Sequence, residues 1–152
     1  MTDHLRRFTG AGVIGLGLAA TLFAASPQRD NRNGRDSDPR RPKLSLKAQP
    51  TVAIAPARIV LQAELTGGSN DFEDYYCPTV AWDWGDGTES ESTSDCEPYQ
   101  AGKTEIKRRF TVEHVFRAGG HQIVFRLKRN DRVLASASVS VQVQPGGPDG
   151  HH

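Results

Sequence analysis

From residue 44 to residue 144 the chain alternates between apolar and polar residues with a period of two. The clearest runs cover residues 58–65, 109–116, 122–128 and 133–143, and Gly, Pro, Asn and Asp residues separate them. Successive side chains of a strand point to opposite faces, so strict alternation in short runs predicts half-buried antiparallel strands. No stretch after residue 44 shows a convincing helical period. The pattern therefore predicts an all-β fold, for which a sandwich of about seven strands in two sheets is the natural solution.

Asn130 and Asp131 stand between two of these alternating runs. Both residue types tolerate the left-handed backbone conformation that the tightest hairpin turns require. The pair therefore predicts a tight hairpin that joins the last two strands of the domain.

The first 26 residues have the features of an export signal. Arg6 and Arg7 precede an apolar run of 15 residues, 11–25, and Ser26 and Pro27 follow it. A basic start, an apolar stretch and small residues at its end are typical of a secretory signal peptide. The run is shorter than the ~20 residues of a spanning helix, and an uncleaved N-terminal anchor is the alternative. Both interpretations place the rest of the chain outside the cytoplasm.

Residues 27–43 contain prolines and a mixed run of Arg and Asp, without other apolar side chains. Such a segment buries too little surface to offset its chain entropy, so we predict a disordered linker. Its arginines can contact anionic lipid or cell-wall polymer, but a solvated spacer is the simpler interpretation. The tail, residues 146–152, is also predicted to be disordered. Residues 44–145 remain as the folded domain.

Composition narrows the classes of function. The chain has 152 residues, of which 36% are hydrophobic and 24% charged, and its formal net charge is +1. This length accommodates one ordinary domain with extensions. A nucleic-acid binder relies on a large positive excess, so we predict no nucleic-acid partner. The two cysteines are too few for a four-cysteine zinc cluster.

A motif rich in tryptophan, aspartate and glycine lies near the middle of the chain. Residues 80–88 read VAWDWGDGT, residues 114–116 read HVF, and residues 119–127 read GGHQIVFRL. This series resembles the PKD domain, whose pattern is W-D-F-G-D-G, then H-x-Y, then P-G-x-Y-x-V-x-L-x-V, and the resemblance covers roughly residues 44–145. It implies an immunoglobulin-like antiparallel β-sandwich in an extracellular or envelope protein, which mediates binding or spacing and is not catalytic. The residues that correspond to the motif are Trp82, Asp83, Trp84, Gly85, Asp86, Gly87, His114 and Phe116.

Alternation also predicts where the side chains of this motif point. Trp82 and Trp84 share one parity and should face the core, where two indole rings bury a large apolar area. Asp83 should face outward, and residues 85–87 should form a hairpin turn because glycine accepts a positive φ. Asp83 and Asp86 are alternatively the start of a calcium site. Two acids are too few ligands for such a site, and we predict no metal.

The two cysteines are placed for a disulfide bond. If Asp86 and Gly87 form a two-residue turn, the flanking strands pair so that Cys77 lies opposite Cys96. The bridge would then lie on the outward face of the hairpin, away from Trp82. A disulfide is expected there in an exported protein. Because the chain has no C-x-x-C motif, we predict a structural role for the bridge rather than redox catalysis.

Acidic residues and tyrosines concentrate in one part of the chain. Residues 70–97 contain nine acids and no Lys or Arg, whereas residues 103–132 contain nine bases and three acids. Aromatic side chains beside carboxylates suit a sugar ring, a basic protein patch or a divalent ion. The candidate binding residues are Tyr75, Tyr76, Tyr99, Asp71 and Asp74. The alternative is that the tyrosines close one end of the sandwich while the acids maintain solubility.

The sequence contains neither a nucleophile elbow nor a glycine-rich phosphate loop, so we predict no enzyme and no cofactor. His114 and His121 share the core-facing parity of their strands, where buried, hydrogen-bonded imidazoles are expected. The resulting hypothesis is an exported, non-catalytic module that binds an envelope or extracellular protein or polysaccharide. It contacts a membrane only through an uncleaved N-terminal segment. The alternative is a structural spacer or envelope assembly subunit with no ligand of its own.

Overall fold

Eight strands and one 3-10 turn make up the part of the chain that the computed structural model describes, residues 38–147. The strands are β1 (Lys43–Gln49), β2 (Val52–Ile54), β3 (Ala57–Thr66), β4 (Thr79–Asp83), β5 (Glu89–Thr93), β6 (Arg109–Phe116), β7 (Gly119–Arg129) and β8 (Arg132–Gln144). The 3-10 turn, Glu73–Tyr75, lies between β3 and β4. The predicted signal segment, residues 1–26, lies outside the described residues, as do residues 27–37 and 148–152. No helix within residues 38–147 is long and apolar enough to cross a membrane.

The strands form two sheets that share one apolar core. Three strands have the order β1-β3-β6, and the other five have the order β2-β8-β7-β4-β5. Neighbouring strands are antiparallel, except that β2 runs parallel to β8. This arrangement confirms the predicted all-β, immunoglobulin-like sandwich. The structure has one strand more than the predicted seven because β2, with three residues, is too short to show alternation.

Most of the core consists of the side chains that alternation assigns to the inner faces of the sheets, and Tyr75 and Ile106 join it from outside the strands. Along β3 and β7, buried apolar residues alternate with polar or partly exposed ones. The fully buried members on these two strands are Ile59, Leu61, Ala63, Leu65, Ile123, Phe125 and Leu127. Burial of one such large side chain contributes about 1.5–3 kcal/mol, so these central strands provide much of the stability.

The hairpin between β7 and β8 has the predicted two-residue turn. Asn130 and Asp131 have φ values of 47° and 63°, and Arg129 pairs with Arg132 across the strands. Two consecutive left-handed residues match the right-handed twist of the strands that they join. The tight hairpin predicted at this position is therefore confirmed.

The turn between β4 and β5 is one residue longer than the two-residue turn considered from the sequence. Asp83 pairs with Glu89, and the Trp84 amide donates to the Thr88 carbonyl over 3.1 Å. The turn therefore consists of three residues, 85–87, in which Gly85 and Gly87 have φ values of 67° and 87°. Because both glycines accept a left-handed conformation, the sequence alone did not decide between the two turn lengths.

Residues before the predicted domain boundary at residue 44 also pack against the sandwich. Pro42 is fully buried, and β1 starts at Lys43. Arg41 Nη1 donates to Tyr75 Oη over 2.8 Å and to the Leu134 carbonyl over 3.1 Å. The last residues of the predicted linker, 38–43, thus contact the sandwich. An arginine can bury its apolar stem while its guanidinium finds acceptors, which a hydropathy pattern does not reveal.

Candidate functional site

The tryptophan motif forms part of the core, as its parity predicts. Trp82 and Trp84 are both buried, and their rings are parallel with centroids 5.3 Å apart. The Trp84 ring also stacks on the His114 imidazole, with centroids 4.1 Å apart, and Trp82 packs against Phe125 at 4.5 Å. Phe116 is fully buried. The motif thus joins the two sheets through aromatic contacts.

The two aspartates of the motif bond to the turn that contains them. Asp83 Oδ1 accepts from the Gly85 amide over 3.1 Å, and Asp83 faces Arg126 at 3.7 Å. Asp86 Oδ1 accepts from the Thr88 amide over 2.9 Å and from the Thr88 hydroxyl. Within residues 38–147, no group of three or more His, Cys, Asp or Glu side chains is placed to hold a metal ion.

The pKa of Asp86 is lowered to about 2. The largest cause is the hydrogen bond from the Thr88 hydroxyl, and the contact with His114 Nε2, 3.1 Å from Asp86 Oδ2, adds to it. Hydrogen bonds to a carboxylate favour its charged form. These contacts therefore hold the turn against β6, the strand that carries His114.

His121 is buried, and His114 is partly buried on the same side of the sandwich. His121 Nε2 lies 2.9 Å from the Arg117 carbonyl, and its Nδ1 lies 3.3 Å from the Gly85 carbonyl. Both imidazoles thus face the interior and have hydrogen-bond partners, as their parity predicts. Their contacts are with the turn and the strand ends, which gives them a structural role.

Cys77 and Cys96 form the predicted disulfide bond. They lie beyond the last strand pair, Thr79 with Thr93, and the φ of Cys77 is 48°. This left-handed residue interrupts the alternation before β4 begins. The longer β4–β5 turn also shifts the register by one residue. Both cysteines therefore line a cavity together with Trp82, rather than the outward face that the two-residue turn predicts. Disulfide bonds are typical of oxidising compartments outside the cytoplasm.

The first of the predicted binding tyrosines is buried. Tyr75 is 2% exposed, and its hydroxyl accepts the hydrogen bond from Arg41. Its ring meets Phe72 edge to face at 5.1 Å, and the Arg41 guanidinium lies 5.3 Å from the ring centroid. Tyr75 therefore anchors the end of the sandwich and has little surface for a ligand.

The other two predicted tyrosines are partly buried and contact each other. The rings of Tyr76 and Tyr99 are 5.7 Å apart. The Tyr76 hydroxyl donates to the Glu97 carbonyl over 2.6 Å, and the Tyr99 hydroxyl donates to the Asp71 carbonyl over 2.7 Å. These bonds attach the loop after β5 to the segment around the 3-10 turn. They leave part of each ring exposed.

Three of the five predicted binding residues, Asp71, Asp74 and Tyr99, line one cleft of about 380 Å³. We call it the acidic cleft. Its full lining is Asp38, Arg40, Ser69, Asp71, Phe72, Glu73, Asp74, Tyr99 and Ala101. Tyr75 and Tyr76 lie outside it. Asp38 and Arg40 were missed because they belong to the predicted linker, where no periodicity marks a contact with the domain.

Carboxylates dominate the electrostatics of the acidic cleft. Asp38 pairs with Arg40 at 3.2 Å, and Asp74 lies 3.7 Å from Arg41. The Ser69 hydroxyl donates to Asp71 and lowers the pKa of that carboxyl. Desolvation, followed by the charge of Asp71, raises the pKa of Tyr99. The cleft thus combines ionised carboxylates with the rings of Phe72 and Tyr99.

Comparisons with known proteins do not assign the chain to a family. No protein-family model matches it, and no curated protein sequence is significantly similar to it. One solved structure with a similar backbone is the CARDB domain of a Pyrococcus furiosus protein, described as a complex with di-metal ions. That domain is 10% identical to this chain, with a TM-score of 0.41, and the match covers 70% of this chain and 97% of that one.

Proposed function

We propose that the chain is an exported, non-catalytic module of PKD type that binds an extracellular or envelope protein or polysaccharide in the acidic cleft. The observation that carries this proposal is the shared cleft of Asp71, Asp74 and Tyr99. The chemistry of the sequence predicts these three residues as part of a binding site, and the fold brings them together from two separate segments. Glu73 and Phe72 extend the same surface.

The chemistry of the acidic cleft suits a ligand with hydroxyl or ammonium groups. Carboxylates accept hydrogen bonds from both groups, and the rings of Phe72 and Tyr99 offer apolar contact to a sugar face or an aliphatic stem. A volume of about 380 Å³ is within the range of small-ligand sites. Arg40 and Arg41 offset part of the negative charge, which favours a polar ligand over a bare cation.

Export is supported by the disulfide and by the features of the first 26 residues. A bridge that closes a loop between Cys77 and Cys96 persists in an oxidising compartment. The order of the motifs at residues 80–88, 114–116 and 119–127 supports the resemblance to PKD domains. Modules of that family are taken to mediate binding or spacing, which is why we propose a binding role for the cleft.

The test is a retention assay with the immobilised full chain. Envelope polysaccharides and envelope protein extracts are passed over it, and the retained material is quantified. The double variant Glu73→Gln/Asp74→Asn removes two charges at the cleft with little change in shape. Glu64→Gln/Glu113→Gln is the matched control, since these acids pair with Arg109 and Arg58 on the three-stranded sheet. We expect the first variant to lose retention and the control to keep it.

The alternative function is a structural spacer or envelope assembly subunit without a ligand. One observation favours it: the hydroxyls of Tyr75, Tyr76 and Tyr99 all bond to groups within the domain. Loop aromatics with internal partners can serve packing alone. If the folded chain, with its disulfide intact, retains nothing from either extract, the spacer is the better account and the binding proposal is wrong.

A further inference from the structure

One side of the sandwich ends in two strand edges, those of β5 and β6. Within residues 38–147, neither outer edge is paired with another strand. In β5 the Thr88 carbonyl bonds back to Trp84, so alternation directs the N–H and C=O groups of Glu89, Glu91 and Thr93 away from β4. Unpaired edges of this kind are templates for an added strand. We call this the open side.

A groove lies beneath the β5 edge because the inward-facing residues of β5 are small. Ser90 pairs with Trp82, and Ser92 pairs with Val80, so the serines share the inner face with these apolar residues. A hydroxymethyl side chain covers little of an indole or a valine. The result is a cavity of about 390 Å³ whose apolar lining includes Val80, Trp82, Phe110 and Val112. We call it the serine groove.

The charge along β5 and the loop that follows it is negative. Glu89 and Glu91 lie on β5, and Asp95 and Glu97 lie in the following loop, without a base between residues 70 and 97. Glu91 pairs with Lys128 of β7 at 2.7 Å, so Glu89, Asp95 and Glu97 are the acids left to attract a basic partner. Lys107, at the rim of the groove, is held over the Phe110 ring at 5.1 Å. Pairing β5 with β5 of a second copy would bring like charges together, which disfavours a homodimer at this edge.

We propose that the open side binds an extended segment of a partner protein in which apolar and basic residues alternate. The segment adds to β5 as an edge strand and forms main-chain hydrogen bonds with Glu89, Glu91 and Thr93. Its apolar side chains enter the serine groove, and its Lys or Arg side chains face the acids. In strand addition the backbone bonds provide affinity, and pockets for alternate side chains provide specificity. This surface is separate from the acidic cleft.

The test uses a synthetic probe of that chemistry, acetyl-(Lys-Val)4-amide, with the isotope-labelled full chain. We expect saturable changes in the amide spectrum that are largest in residues 89–93 and 109–113. Two control peptides separate the contributions of charge and of backbone hydrogen bonds. The first, acetyl-(Glu-Val)4-amide, reverses the charge. The second has the (Lys-Val)4 sequence, but alternate backbone nitrogens are methylated so that they cannot donate hydrogen bonds to β5. Both controls should bind at least about tenfold more weakly, equivalent to about 1.4 kcal/mol.

Two variants test whether the peptide binds in the serine groove. Ser92→Phe fills the serine groove and is expected to weaken the (Lys-Val)4 peptide by about tenfold. Ser138→Phe is the matched control, because Ser138 is an exposed serine on β8 of the same sheet. It should bind the peptide as the unaltered chain does. Circular dichroism and an intact disulfide establish that both variants are folded.

Three results would overturn the proposal. The first is an amide spectrum that does not change with the (Lys-Val)4 peptide, or that changes away from β5 and β6. The second is equal binding of the methylated peptide, which would indicate charge attraction without strand addition. The third is concentration-dependent dimerisation, detected by analytical ultracentrifugation, that Ser92→Phe abolishes. That result would assign the open side to a second copy of the chain.

Discussion

At the scale of single residues, the β4–β5 turn is held by a carboxylate with several donors. Asp86 accepts from the amide and hydroxyl of Thr88 and contacts His114 on β6. Its folded-state pKa is therefore lowered, which means that its ionised form stabilises the fold above the ordinary pKa of an aspartate. This contribution is lost as the pH falls from about 4 towards 2.

We predict that the Asp86 carboxyl titrates near pH 2 and that Thr88→Val moves its pKa upward, towards 3.8. His114→Phe should raise the pKa less, because the Thr88 hydroxyl is the larger cause. Carboxyl carbon shifts followed by NMR between pH 1.5 and pH 6, roughly the range over which aspartates titrate, provide the measurement. A midpoint near 3.8 in the unaltered chain would contradict the assigned hydrogen bonds.

The tyrosines of the predicted site separate into a core residue and a surface residue. Tyr75→Ala should destabilise the domain by about 3–5 kcal/mol, the usual cost of removing a buried aromatic ring. Tyr99→Ala should cost about 1 kcal/mol, since it loses one hydrogen bond and a partly exposed ring. Urea denaturation of both variants measures the difference. If both variants lost the same free energy of unfolding, the assignment of Tyr75 to the core and Tyr99 to the surface would be wrong.

At the scale of elements, the two glycines of the β4–β5 turn have different surroundings. A Cβ atom at Gly85 would lie 2.4 Å from the Gln122 carbonyl oxygen, whereas one at Gly87 would meet nothing within 4 Å. Both have a positive φ. The first position therefore combines a backbone clash with strain, and the second has strain alone.

We expect Gly85→Ala to destabilise the domain by about 3 kcal/mol or more and Gly87→Ala by about 1 kcal/mol. The two substitutions add the same methyl group within one turn, so each controls for the other. Thermal and urea unfolding provide the measurement. If Gly87→Ala proved the more damaging change, the close packing of the turn against β7 would be wrong.

The disulfide restrains β5, a strand that contributes no buried side chain to the core. All five residues of β5 are exposed, and the bridge closes a 19-residue separation that includes β5 and its turn. In the chain-entropy model a loop of that size contributes about 3 kcal/mol. Cys77→Ser/Cys96→Ser should lower the free energy of unfolding by that amount in urea. An unchanged free energy would mean that the loop is already restricted in the unfolded chain.

At the scale of the whole molecule, one arginine attaches the segment before β1 to the 3-10 turn and to β8. Arg41 bonds to Tyr75 and to the Leu134 carbonyl on β8, whereas Arg40 next to it has a side chain that is 75% exposed. We predict that Arg41→Met costs about 2 kcal/mol of stability, because buried acceptors lose their donor. Arg40→Met should change stability by less than about 0.5 kcal/mol. Urea denaturation compares the stability of the two variants. If both substitutions had similarly small effects, the packing of the segment before β1 against the domain would be refuted.

The sequence predicts this fold well in the segments where apolar and polar residues alternate. The inward parity of Trp82 and Trp84 and the hairpin at residues 130–131 followed from alternation and turn chemistry, and both are present. Arg41 escaped prediction because a charged residue in a polar run has no signature of burial. The tyrosines near residues 75 and 99 lie in loops without a period, so nothing in the pattern distinguished the buried ring from the partly exposed ones. The serines of β5 gave no sign of the groove that they leave.

The most direct test of the binding account is to map where a retained ligand touches the molecule. The amide spectrum of the isotope-labelled full chain is recorded while the envelope polysaccharide or protein that it retains is added. The account predicts that the largest changes occur around the acidic cleft, in residues 69–74 and 99–101. Retained material that leaves those resonances unchanged would contradict the assignment of the acidic cleft as the binding site.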